Sequence, residues 1–208
     1  GGGLEPPLTF DPNPGGAFLL EEEDEEVVVD PEGDEALKKC VEEGRSAASG
    51  TSPGSVGRAE ALASYVVSRL GDDDGRDGLE NRVARHVGAK CQASGSRRVL
   101  LGDLDIGSSR HRAILMKYLS DDEVIDVPCR LVRGTGRVSD GEARLGRQHT
   151  HAWNVVRVGH VAESPGSESS SDEHYVVDLM NPSPSSSSSG SYGVLLHVGS
   201  PLAMSYER

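Results

Sequence analysis

Apolar positions along the chain follow two periods. Ala59, Leu62, Ala63, Val66, Val67 and Leu70 recur at helical spacing and make one apolar stripe. A weaker helical pattern covers Leu79 to Val87, with Gly88 placed as its C-cap. Ser108 or Ser109 is a fitting N-cap for a third helix, which Ala113, Ile114, Met116 and Leu119 carry to about Ser120. That helix is apolar on more than one side, so it is expected to be central and buried. After it the period shortens. Strands are expected over Val127–Val132, His149–Val158, His174–Met180 and Tyr192–Val198, dense in β-branched and aromatic residues. Helices first, then a central helix leading into antiparallel strands, predicts an α+β fold.

The segments between are polar. Residues 1–55 carry four prolines up to Pro14 and an acidic block from Glu21 to Glu26, and are expected to be a disordered arm. Within it, Glu35 to Glu43 has the pattern of a short helix, and Val27–Val29 that of an edge strand or docking segment. Residues 56–208 are then the folded domain, with Ser/Glu/Gly-rich insertions at Glu163–Glu173 and Ser183–Ser191 and a tail from Pro201. The net charge of −13 argues against nucleic acid and against anionic membranes. No run of about 18 apolar residues is present, so no membrane insertion is expected. Three cysteines, Cys40, Cys91 and Cys129, lack framework spacing and fit a reducing compartment. The chain begins Gly-Gly-Gly without an initiator Met, as expected of a piece of a larger protein.

Candidate chemistry centres on His149-Thr-His-Ala-Trp-Asn-Val-Val-Arg-Val158, which holds the single tryptophan. Alternation puts His149, His151, Trp153, Val155 and Arg157 on one face. Pairing with the His174–Met180 run could bring Asp178 near His151, and a carboxylate that orients an imidazole is the base half of a nucleophilic triad. The matching nucleophile position is the start of the central helix, at Ser109. Each residue also has a plainer role. Ser109 fits a helix cap, His151 a hydrogen-bonded neighbour of Trp153, and Arg110 and Arg112 structural or surface charges. His149 and His151 lack a placed third ligand, so no metal or other cofactor is expected.

Four blocks together resemble one known domain: Ser109-Arg-His-Arg-Ala-Ile-Leu-Met-Lys117, Val127-Pro-Cys-Arg-Leu-Val-Arg-Gly134, His151-Ala-Trp-Asn-Val-Val156 and Tyr175-Val-Val-Asp-Leu-Met180. It is the peptidase-like domain shared by plant Raf-like regulatory kinases of the ethylene and disease-resistance types and by a ciliary armadillo-repeat protein. That domain is similar in turn to the papain-like, transglutaminase-like core. The Ala-Trp-Asn segment and the ending Gly199-Ser-Pro-Leu-Ala-Met-Ser-Tyr206 lean towards the armadillo-type branch. The resemblance implies that the active-site Cys falls on Ser109, the His on His151 and the Asp on Asp178. A thiol needs only a modest shift to form thiolate, whereas a serine hydroxyl must lose its proton during attack and needs an oxyanion hole. The expectation is therefore a non-catalytic regulatory or interaction domain with a protein or peptide partner, cytoplasmic or ciliary as the resemblance implies. The competing expectation is a weak serine hydrolase or acyltransferase using Ser109, His151 and Asp178. A third is a scaffold whose cleft is filled.

Overall fold

A computed structural model describes residues 25–71, 78–136, 150–159, 173–180, 194–197 and 206–207. In chain order these form β1 (Glu26–Val28), α1 (Glu35–Ala48), α2 (Val56–Arg69), α3 (Leu79–Ser94), β2 (Arg98–Leu100), a short 3-10 turn (Leu101–Asp103), α4 (Ser109–Ser120), β3 (Cys129–Gly136), β4 (Thr150–Val158), β5 (Glu173–Asp178), β6 (Val194–His197) and β7 (Tyr206–Glu207). The chain is thus mixed helix and sheet. A five-stranded sheet runs β6-β5-β4-β3-β7, all neighbours antiparallel, and a separate parallel pair joins β1 to β2. The expected β4–β5 pairing is present in the register Asn154↔Val177 and Val156↔Tyr175.

The α2 stripe is buried as its spacing requires: Ala59, Leu62, Ala63 and Val66 face a core completed by Leu101, Leu115, Met116 and Leu119. Ser55 caps α2 by accepting from Arg58 N–H at 3.2 Å. The helix α4 is central, with Leu115, Met116 and Leu119 almost fully buried, and it lies on β3 and β4.

Four expectations need correction. The arm expected to be disordered to residue 55 is folded from Glu25 on. Residues 1–24 lie outside the described residues. Helix α1 buries Leu37, Cys40 and Ala48 against α2, the 3-10 turn and α4, so the folded domain begins well before residue 56. Apart from Leu37, its buried positions are the small residues Cys40, Gly44 and Ala48, which give no strong apolar signal. Gly88 does not cap α3. The helix continues through Ala89, Lys90, Cys91 and Gln92, and the good helix formers Ala, Lys and Gln among them offset one glycine. It ends at Gly95, whose φ of 63° lets Ser96 N–H reach Cys91 O. The strand expected over Val127–Val132 is shifted, running as β3 from Cys129 to Gly136. Finally, Tyr206–Glu207 pairs with the end of β3 instead of remaining tail. The Ser-rich insertions lie outside the described residues.

One cross-link ties α1 to the turn after α4. Arg45 donates to both Asp122 carboxylate oxygens, at 3.0 and 2.7 Å, and Asp122 also accepts from Val124 and Ile125 N–H. Hydrogen bonding from Arg45 holds the Asp122 carboxyl below its ordinary value of 3.8. Because the folded-state value is depressed, the stabilisation is present above that ordinary value and is lost as pH falls through the folded one. Acid unfolding of Asp122→Asn is therefore expected to show a flatter stability–pH slope below about pH 4 than the native chain, read by urea midpoints across pH. Identical slopes would remove this role.

Candidate functional site

The site is assembled where α4 begins against the start of β4. The chain enters α4 through Gly107, whose N–H bonds Leu70 O at 3.0 Å. A Cβ at Gly107 would lie 2.9 Å from that of His111, so the close approach requires glycine. Ser108 is the N-cap, in extended conformation, and it forms a reciprocal capping box with His111. Ser108 N–H donates to His111 Nδ1 at 3.2 Å, and the Ser108 hydroxyl lies 3.0 Å from the same nitrogen. An Nδ1 that accepts a backbone N–H carries no proton, so the ring proton sits on Nε2. That nitrogen is 3.4 Å from Glu25 Oε1, without hydrogen-bond alignment. Arg110 Nη1 reaches the same oxygen at 3.1 Å. Ser108, His111 and Glu25 are all buried, so this serine–histidine–carboxylate chain anchors the strand lead-in at Glu25 to the helix start.

Ser109 is the first residue of α4 and is 7% exposed. Its hydroxyl oxygen accepts the Ala152 N–H at 3.3 Å, joining the helix start to β4. Asn154, fully buried, makes a second joint by donating to Ala113 O at 3.1 Å. Alternation along β4 sends Asn154 and Val156 towards α4 and the main core. It sends Trp153 to the other face, with Val132 and Val176. His151 shares the Trp153 face, stacked on that indole with ring centroids 6.1 Å apart. Asp178 lies at the end of β5, buried, with Oδ2 3.0 Å from His151 Nε2. The two are in close polar contact, again off the line of a hydrogen bond. Asp178 Oδ1 accepts Met180 N–H at 2.9 Å, which fixes the carboxylate at the strand end.

The structure therefore brings His151 and Asp178 into contact and sets Ser109 one hydrogen bond from the residue after His151. His149 lies outside the described residues, and among those described no group of His, Cys, Asp and Glu could hold a metal ion. Neither Cys91 nor Cys129 replaces Ser109 as a nucleophile. Burial pushes both thiols up, away from thiolate, and the Cys129 sulfur accepts from Asn154 Nδ2. Cys40 is buried in α1.

Arg112 is the functional neighbour that sequence patterns do not single out. It is buried, and its guanidinium donates to Gly107 O, Leu179 O and Leu70 O at 3.0, 2.9 and 3.0 Å. It thus couples the end of α2, the entry to α4 and the residue after Asp178. Three carbonyl dipoles converge on the buried charge. Glu25 and His111 were equally silent, because 86 positions separate them; the one available signal was the Ser-x-x-His spacing at the head of α4.

No helix among the described residues is long and apolar enough to cross a membrane. No curated protein and no solved structure matches the chain. A family model does match, over residues 19–184, reaching from ahead of β1 to beyond Asp178 and covering every residue of the site. This span, well over half of the chain, places it in the family described as EDR1/CTR1/ARMC3, peptidase-like.

Proposed function

We propose that this domain is a non-catalytic module that binds a protein or peptide within a larger signalling or armadillo-repeat protein, in the cytoplasm or cilium. Its core is of the papain-like or transglutaminase-like kind, with the nucleophile replaced by a serine that serves the fold. One observation carries the proposal. The Ser109 hydroxyl is buried and accepts the Ala152 N–H, so one of its two lone pairs is taken by the backbone and the oxygen is held as a joint between α4 and β4. His151, half-buried, and Asp178, buried, then act as a polar pair that holds the Trp153 face of β4 to the end of β5.

A weak serine hydrolase using Ser109, His151 and Asp178 is the second reading, and the 3.0 Å contact between the last two favours it. Reaction with a serine-directed fluorophosphonate, read by intact mass on folded protein, separates them. No adduct is expected on the native chain. An adduct lost in both Ser109→Ala and His151→Ala would establish an activated hydroxyl and overturn the non-catalytic reading. On that reading Ser109→Ala instead costs about 1 kcal/mol of stability, the value of one buried hydrogen bond.

A further inference from the structure

We propose that the cleft between α1 and the C-terminal end of α4 docks a short basic peptide carrying an apolar anchor residue. The cleft has a volume of about 660 Å³, the size of a small-ligand pocket, and lies apart from the residues of the His151–Asp178 contact. Val41 and Tyr118, both half-buried, supply its apolar lining. Its two cations are already engaged: Arg45 by Asp122, and Lys38 by Glu35 at 2.6 Å. Asp121 is engaged by Lys117. That leaves Glu42 and Glu123, which line the cleft and form no ion pair among the described residues. The unbalanced charge of the cleft is negative, and the whole chain, at −13, reinforces it.

A second feature sits beside the charge. Val124, next in chain to Glu123, is 59% exposed, the most exposed large apolar side chain among those described. Its backbone is fixed on both sides: Val124 N–H donates to Asp122 Oδ1 at 3.1 Å, and its carbonyl accepts from Arg58 Nη1 at 3.3 Å. An apolar residue held out on anchored backbone, next in chain to a cleft that pairs Val41 and Tyr118 with two unbalanced carboxylates, complements a ligand of cationic and aliphatic side chains. The proposal shares with the function above only the idea of a peptide partner. Labelling of Ser109 would overturn the non-catalytic reading and leave this cleft standing, and failure here would leave that reading standing.

The test is fluorescence anisotropy with a labelled peptide of Lys, Arg and Leu, the same peptide with Glu for each cation, and the same with Ser for each Leu. Each is titrated with the native chain, with Glu42→Lys/Glu123→Lys, and with Glu32→Lys/Glu80→Lys, an equal charge change at exposed positions elsewhere. The cationic Leu peptide is expected to bind, and to lose about tenfold in affinity in the cleft variant but no more than about twofold in the remote one. Both substitutes within the peptide are expected to abolish binding. Equal weakening in the two variants would show diffuse charge attraction and overturn the proposal. So would absent binding by folded protein, or binding indifferent to Leu.

Discussion

Arg112→Met is expected to lower stability by about 4 kcal/mol, among the largest effects of any single substitution in this chain. The side chain that replaces it has similar length and fills similar space, so the loss is of hydrogen bonds more than of volume. Leu70 O keeps its bond from Gly107 N–H, but Gly107 O and Leu179 O lose the guanidinium donor. Leaving buried acceptors without a donor costs about 1–3 kcal/mol each. For a domain of this size that is a fall of about 12 °C in Tm by thermal melting. Arg112→Lys should recover less than half of it, because one ammonium cannot reach three divergent carbonyls. Full recovery by Lys would mean that charge, not the planar fork, is what the site requires. The loss should also be local before it is global. Hydrogen exchange is expected to rise first at Met180, whose N–H is held by Asp178 at the strand end that Arg112 secures.

Gly102→Ala comes next, with an expected cost of about 3 kcal/mol. The Asp34 carboxylate, 2% exposed, works in two directions. One oxygen caps α1 by accepting Leu37 N–H, and the other accepts Gly102 N–H, both at 2.8 Å. A Cβ on Gly102 would overlap the Leu37 amide nitrogen and both carboxylate oxygens, so the helix start must move away from the 3-10 turn. The backbone of α1 would yield, not a flexible side-chain tip. Asp34→Ala should cost a similar amount, about 1 kcal/mol for the cap and about 2 for the orphaned Gly102 N–H. The double variant should fall well short of the sum, since both changes break one clamp. Urea denaturation measures all three. Strict additivity would show that glycine and carboxylate act separately.

What the sequence disclosed followed from where side-chain area is large and periodic. The α2 stripe and the β4 alternation were visible because Leu62, Val66, Trp153 and Val156 carry enough apolar surface to mark a face. The contact of His151 with Asp178 was visible for the same reason, since strand pairing and period 2 determine which residues meet. Helix α1 was only half visible: charged residues dominate it, and its inward positions Leu37, Cys40, Gly44 and Ala48 are mostly small. The end of α3 was misplaced because Gly88 and Gly95 offer the same chemical signal, and only the backbone path selects one. The engagement of Ser109 with Ala152 N–H, and the carbonyl cage around Arg112, depend on backbone groups that have no letter in a sequence.

The pairing of β1 with β2 has a consequence for synthesis on the ribosome. Glu26 lies opposite Arg98, and the Asp34 carboxylate waits for an amide 68 residues downstream. The β1–α1 segment can meet α2 early, but its contacts with β2, the 3-10 turn and α4 must wait until those elements are made. During that interval α1 is a polar helix too short to hold itself together. Its closure is then among the late, long-range steps of assembly, which slow folding more than local contacts do. Arrested nascent chains ending before Arg98 should leave the α1 region open to protease, and chains long enough to expose α4 should protect it.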